Sequence, residues 1–237
     1  MKRLSIILAI FAVLILIFAA CGPIQIMYVV VDEGHTAFSI TGLVGTLSGL
    51  GYQVKTENLE TYQPQSLFDK AVIIPAPNTS FGAAAVSNLN AYMSAGGRLV
   101  LLADSRNNSN TYLNSLISAL NVKGVGISFS FGTIGFSGSN DNILFYNTAL
   151  GDYFDTGNVK ALYGRNIINA PSNSKGAYAT GNVPESAEAE IDEIGTYVDV
   201  LVAQNTIKGK TIAFSSMETF NNAYGAAQAL LGKIVSW

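Results

Sequence analysis

His35 is the only histidine in the chain, and it stands three residues after Asp32 and two after Glu33. Carboxylates beside an imidazole can move protons, because the ring titrates near neutrality and a neighbouring carboxylate fixes its tautomer. Asn78 and Thr79, then Asp104, Ser105 and Asn107, then Ser215, Ser216 and Glu218 follow later apolar runs in the same way. Three carboxylates and an imidazole would also be a donor set for a divalent cation, whose bound water could hydrolyse a substrate. The spacing does not require one. In residues 104–108, Arg106 occupies the third position of an EF-hand-like loop, where a ligand oxygen is needed, and His35 lacks the paired spacing of a zinc protease. No Gly-x-Ser-x-Gly elbow occurs, and Ser105 would sit one residue beyond the usual position. The plainer alternative is that Asp, Asn and Ser at strand ends cap helices and close turns. Asp32, Glu33, His35, Asn78, Asp104 and Ser105 are therefore the candidate ligand-binding set, with no catalytic residue, metal or cofactor assigned.

The lone cysteine has a different chemistry. Lys2 and Arg3 precede sixteen residues, 4–19, in which Ser5 is the sole polar interruption, and the run ends Phe18-Ala19-Ala20-Cys21. A basic stretch, an apolar stretch and small residues before a cut describe a secretory signal, and a cysteine in the first mature position resembles the lipobox of bacterial lipoproteins. Phe18 departs from the Leu, Val or Ile usual in that position. The resemblance implies residues 1–20 as signal peptide, lipidation of Cys21, and an extracytoplasmic location on the cell membrane or outer membrane. An uncleaved anchor stays open, since residues 4–20 are at the short end of the roughly 17–25 needed to span a bilayer.

Residues 21–237 are long enough for one domain with a substantial core. They hold 11 basic and 16 acidic residues, a net charge of −5, which argues against nucleic acid as a partner because phosphate binding needs excess Lys and Arg. With no second cysteine there is no intramolecular disulfide, so stability rests on burial.

The polar candidates need elements to place them at one edge. Residues 24–31 form a nearly unbroken β-branched and apolar run, as in a strand buried on both faces. Phe38, Ile40, Leu43, Val44, Leu47 and Leu50 recur at helical spacing before Gly51. The unit repeats: strands at 53–56, 71–74 and 98–103, and helices at 81–95 and 111–120. Such alternation predicts a doubly wound α/β fold with a mainly parallel sheet, whose ligands gather at the carboxyl ends of the strands. From about 124 to 196 the pattern decays into short apolar pieces, expected as an irregular β-rich insertion over one edge or end of the sheet. Phe129, Phe131, Phe136, Phe145, Tyr146, Tyr153 and Phe154 crowd this region as core, or as an aromatic face for a glycan or protein partner. Residues 184–190 read as a solvated acidic turn or short helix. Two strands, 197–203 and 210–214, and a helix over 223–237 close the chain.

Asp32-Glu33-Gly34-His35 after a buried strand, Ile73-Ile74-Pro75-Ala76-Pro77 after the third, and the segment from Ala95-Gly96-Gly97-Arg98 to Ala103-Asp104 resemble a family of glutamine amidotransferase-like domains of unassigned function. Related domains occur in gliding-motility ABC transporter auxiliary proteins and intraflagellar transport proteins. Gly209-Lys210-Thr211-Ile212-Ala213-Phe214, then Asn221-Asn222 and a terminal helix, resemble that family's ending. The resemblance covers residues 24–121 and 197–237. It implies a class I amidotransferase-like, flavodoxin-like fold. A working enzyme of that class carries a cysteine after a central strand, with His and Glu to activate it; here Asp104 holds that position. The expectation is a non-catalytic, membrane-anchored binding or accessory protein, with an unknown protein or glycan partner, in an envelope transport or polysaccharide system. The alternative is a metal-assisted or carboxylate-based hydrolase using Asp32, His35 and Asp104.

Overall fold

The computed structural model describes residues 27–120, 126–134, 141–180, 190–192, 195–206 and 208–237. The leader, Cys21, the expected start of the first strand at 24–26, Phe136 and the acidic stretch 184–189 lie outside the described residues.

The opening apolar run forms β1 (Tyr28–Asp32), with Val29, Val30 and Val31 fully buried. β2 (Gln53–Glu57) and β3 (Asp69–Pro75) pair with it in parallel, and β4 (Arg98–Leu102) pairs with β3. β12 (Lys210–Phe214) then lies parallel to β4. The resulting order β2-β1-β3-β4-β12 reverses between β1 and β3, which is the switch point of a flavodoxin-like sheet.

Alternation along each strand sends side chains to two layers. Val29, Val31, Ile73, Val100 and Ile212 pack with Leu43 and Leu47 of α1 (Thr41–Gly49) and with Leu230, Leu231 and Ile234 of α5 (Gly225–Ser236). Val30, Val72, Ile74, Leu99 and Leu101 pack with Leu89 and Tyr92 of α2 (Ala83–Ser94) and Leu113 and Leu116 of α3 (Ser109–Ala119). The crossover helices end where the sequence expects: Gly51 and Gly96 take φ of 86° and 92°, a left-handed conformation that is cheap only without a Cβ.

The expectation of a mainly parallel sheet is corrected. Among the described residues, four strand pairings are parallel and seven antiparallel. The cause is local. β11 (Gly195–Asn205) reaches β12 through a tight turn closed by Thr206, whose amide and hydroxyl both bond the Gly209 carbonyl, and so short a loop joins only antiparallel strands. The intervening region is likewise too poor in helix-length segments for crossovers. β5 (Ser128–Ile134), β6 (Asp141–Phe145), β7 (Val159–Ala161), β8 (Gly164–Ile168), β9 (Lys175–Thr180) and β10 (Glu190–Asp192) instead extend the same sheet past β11, in the order β11-β9-β6-β7 with β8 and β10 also on β11. The short helix α4 (Ala149–Phe154) buries Phe154 against this extension.

Candidate functional site

Asp32 ends β1 and is fully buried. Its Oδ2 lies 2.8 Å from His35 Nδ1, while Oδ1 accepts from the Gly34 and Leu59 amides, each at 3.3 Å. On the far side of the ring, His35 Nε2 lies 3.1 Å from Glu60 Oε1. Phe81 stacks on the imidazole at 4.1 Å between centroids, leaving His35 3% exposed. Burial pushes the His35 pKa down, but the hydrogen bonds and charges of Asp32 and Glu60 outweigh it and hold the value above the usual 6.5. That favours the imidazolium, donating from both nitrogens. Glu60 is held below its ordinary value, first by the Gly82 amide at 2.5 Å and also by His35, against the effect of burial.

Asp104 lies two residues past the end of β4 and is also fully buried. Arg106 donates Nε to its Oδ1 at 2.9 Å and Nη2 to its Oδ2 at 2.7 Å, and Nη2 reaches Glu218 Oε2 at 2.8 Å. The guanidinium sits over the rings of Tyr163 and Phe38, at 4.4 and 4.8 Å. A two-point arginine fork between aromatic faces fixes this turn geometrically as well as electrically.

The two constellations meet at Ala76, which takes a left-handed φ of 40° at the switch point, a conformation costing a non-glycine residue on the order of 1–3 kcal/mol. The turn aims its carbonyl so that it accepts from Thr36 Oγ1 at 3.3 Å and Asn107 Nδ2 at 2.9 Å. Asn78 donates its amide to the His35 carbonyl. Ser105 donates its amide to the Tyr163 carbonyl, and its own carbonyl accepts from Arg165. All six sequence candidates thus belong to one edge. Asp32 and His35 are in contact, Asp104 is bound to Arg106 instead, and Glu33 is exposed.

Ser215 and Ser216 are buried in the turn after β12, where the Ser216 hydroxyl donates to the Leu162 carbonyl. Sequence reasoning missed Glu60, Arg106, Phe38, Tyr163 and Arg165. Glu60 had a signal, since it follows the second strand and falls at the same edge. Nothing in the sequence points to Arg165, which joins the carbonyls of Phe131, Ser105 and Asn107 across 34 to 60 residues.

Among the described residues, no group of three or more His, Cys, Asp and Glu is placed to hold a metal ion. The imidazole itself separates Asp32 from Glu60, so those carboxylates do not converge on one ion. A recess of about 600 Å³ lies at the other end of the sheet, lined in part by Tyr153, Asn173, Gln204 and Trp237.

No family model matches the sequence, and no curated protein matches it. Solved structures share the fold. The mmIFT52 N-terminal domain superposes with a TM-score of 0.60 at 15% identity, covering 88% of this chain and 95% of that one. A ThuA-like protein from Parabacteroides merdae gives 0.55 at 9% identity, covering 90% and 89%. The cytoplasmic protein STM1381 of Salmonella typhimurium LT2 gives 0.56 at 11% identity, covering 88% and 98%. At these identities the likeness is one of fold alone, and the ThuA-like neighbour supports the flavodoxin-like part of the expectation.

Proposed function

We propose that this protein is an extracytoplasmic binding or accessory domain, held by a lipid on Cys21 at the cell membrane or outer membrane, and that it acts through its carboxyl edge without catalysis. The observation that carries the reading is the pairing of Asp104. At the strand end where an amidotransferase would present its thiol, a buried carboxylate is forked by Arg106. A group so engaged is a poor nucleophile.

The only imidazole fares no better as a base. Both its nitrogens face carboxylates, and its raised pKa favours the protonated form. Glu60, the half-buried outer end of that chain, is held below the ordinary carboxylate range, far from the near-neutral pKa that suits general base catalysis. Exposed aromatic side chains do mark this edge. Phe131 is 75% and Tyr224 82% exposed, and aromatic anchors dominate interface energetics. The partner class is a protein or glycan of an envelope transport or polysaccharide system.

The second reading, a carboxylate-based hydrolase, draws on the contact between Asp32 and His35. Photo-crosslinking residues placed at 131 and 224 in the full chain separate the two. The binding reading expects discrete adducts from both positions in isolated membranes. Absence of adducts, with a hydrolytic turnover abolished by Asp32→Asn, would favour the enzyme.

A further inference from the structure

The amino-terminal edge of the parallel strands, opposite the candidate site, exposes large apolar side chains where the chain enters the fold. Met27 is 42% exposed, Leu67 68% and Phe68 46%. The Tyr28 amide donates to the Phe68 carbonyl at 2.7 Å, so these side chains share the mouth of β1 and β3.

Cations follow along the same edge: Lys70 in β3, Arg98 opening β4, Lys208 before β12 and Lys210 opening it. The contacts of Lys70, Arg98 and Lys210 are with ring faces and main-chain oxygens. Lys70 lies over Tyr52 at 4.9 Å, Arg98 donates to the carbonyls of Lys70, Val235 and Ser236, and Lys210 donates to the Trp237 oxygen. Burial, and then the charge of Arg98, lower the pKa values of both Lys70 and Lys210. Arg98, between β3 and β12 at this edge, thus stands near enough to Lys70 and Lys210 to repel each of them. Asp69, the carboxylate opening β3, is buried and turned to Tyr62 and Lys55. The carboxyl edge, by contrast, bears Glu33, Glu60 and Glu218.

An exposed apolar cluster beside these cations is unfavourable in water and favourable on an anionic bilayer, where the apolar groups leave water and the cations meet phosphate. A lipid on Cys21 would also bring this edge there. Met27 is six residues after Cys21, a reach of at most about 20 Å at 3.3–3.6 Å per residue. We infer that the amino-terminal edge, through Met27, Leu67 and Phe68 with Lys70 beside them and Lys208 farther along the edge, rests on an anionic lipid surface. This deepens the proposed function and rests on its anchor at Cys21. The carboxyl edge then faces away from the membrane, toward a partner.

The test uses the full chain in vesicles of phosphatidylglycerol with brominated acyl chains. Trp237 is the only tryptophan, so Phe68→Trp and Tyr224→Trp in a Trp237→Phe background each report one edge. Interfacial seating predicts that bromination dims the indole at position 68 by about twofold or more and leaves that at 224 unchanged. It also predicts that Lys70→Glu with Lys208→Glu weakens the quenching. An unquenched indole at 68 overturns the inference in two recognisable ways. Shielding from acrylamide would show a second copy or a protein partner covering the edge, and free access to acrylamide would show an edge left in water. Mass spectrometry of Cys21 reads the anchor separately: quenching without an acyl group upholds the lipid surface while refuting the anchor.

Discussion

The parallel strands and the antiparallel extension bury themselves differently. β1, β3 and β4 are covered on both faces by helices, and nearly every residue in them is buried. In the outermost strands of the extension, β7 alternates buried and exposed and Leu144 of β6 is 41% exposed, as expected of strands with one face in water, whereas β8, nearer β11, stays buried almost throughout. The parallel half can therefore hold strained and charged groups, such as Ala76 and Asp104, at its carboxyl edge. The extension depends on a few anchors: Phe154, the Lys175–Asp199 pair at 3.1 Å, and Arg165, which ties it back to the loop after β4.

Removing the largest anchor tests whether the halves are separable. Phe154 is fully buried, and Phe154→Ala should cost about 3–5 kcal/mol. Hydrogen exchange should accelerate in β9 and β11 while β1, β3 and β4 keep their protection. Equal loss in both regions would make the sheet one cooperative unit and abolish the distinction.

A smaller effect is expected from Arg106→Ala, about 3 kcal/mol by denaturant unfolding. That is the low end for stripping the partner from a buried charge, because Arg106 is itself a third exposed. Arg106→Lys should restore only part of it, since a lysine cannot fork. A loss below about 0.5 kcal/mol would mean that the edge is not held by this pair.

The smallest effect is on pH dependence. The raised His35 pKa contributes stability that is full below 6.5 and lost as pH climbs through the folded value. The lowered Glu60 pKa contributes stability that is full above 4.5 and lost as pH falls through its folded value. The melting temperature should therefore carry a shallow plateau between about 4.5 and 6.5, flattened in Glu60→Gln. An unchanged profile in that variant would remove Glu60 from the edge's electrostatics.

The same contrast explains what the sequence could reveal. Continuous runs such as Val29-Val30-Val31 and Leu99-Val100-Leu101-Leu102 announce doubly covered strands, and the helices between them carry a 3.6 period and terminal glycines. The edge holding Asp32 and Asp104 follows from those local signals, whereas the strand order, which depends on pairings between distant segments, does not. Short pieces such as Val159–Ala161 carry too little pattern to reveal their partners. β9 meets β11 across residues the alternation does not link, so the antiparallel share of the sheet was not legible. Within the site, residue types were visible but pairings were not: Arg106 looked like a fault in a calcium loop, and its role depends on Glu218, 112 residues away.

An NMR titration of the His35 imidazole tests most directly whether the carboxyl edge is committed to internal pairs. Internal pairing predicts a single ring titrating above 6.5, with both N–H protons slow to exchange in the folded protein. A value below 6.5, with one nitrogen bare and open to solvent, would describe a poised base and contradict a non-catalytic edge.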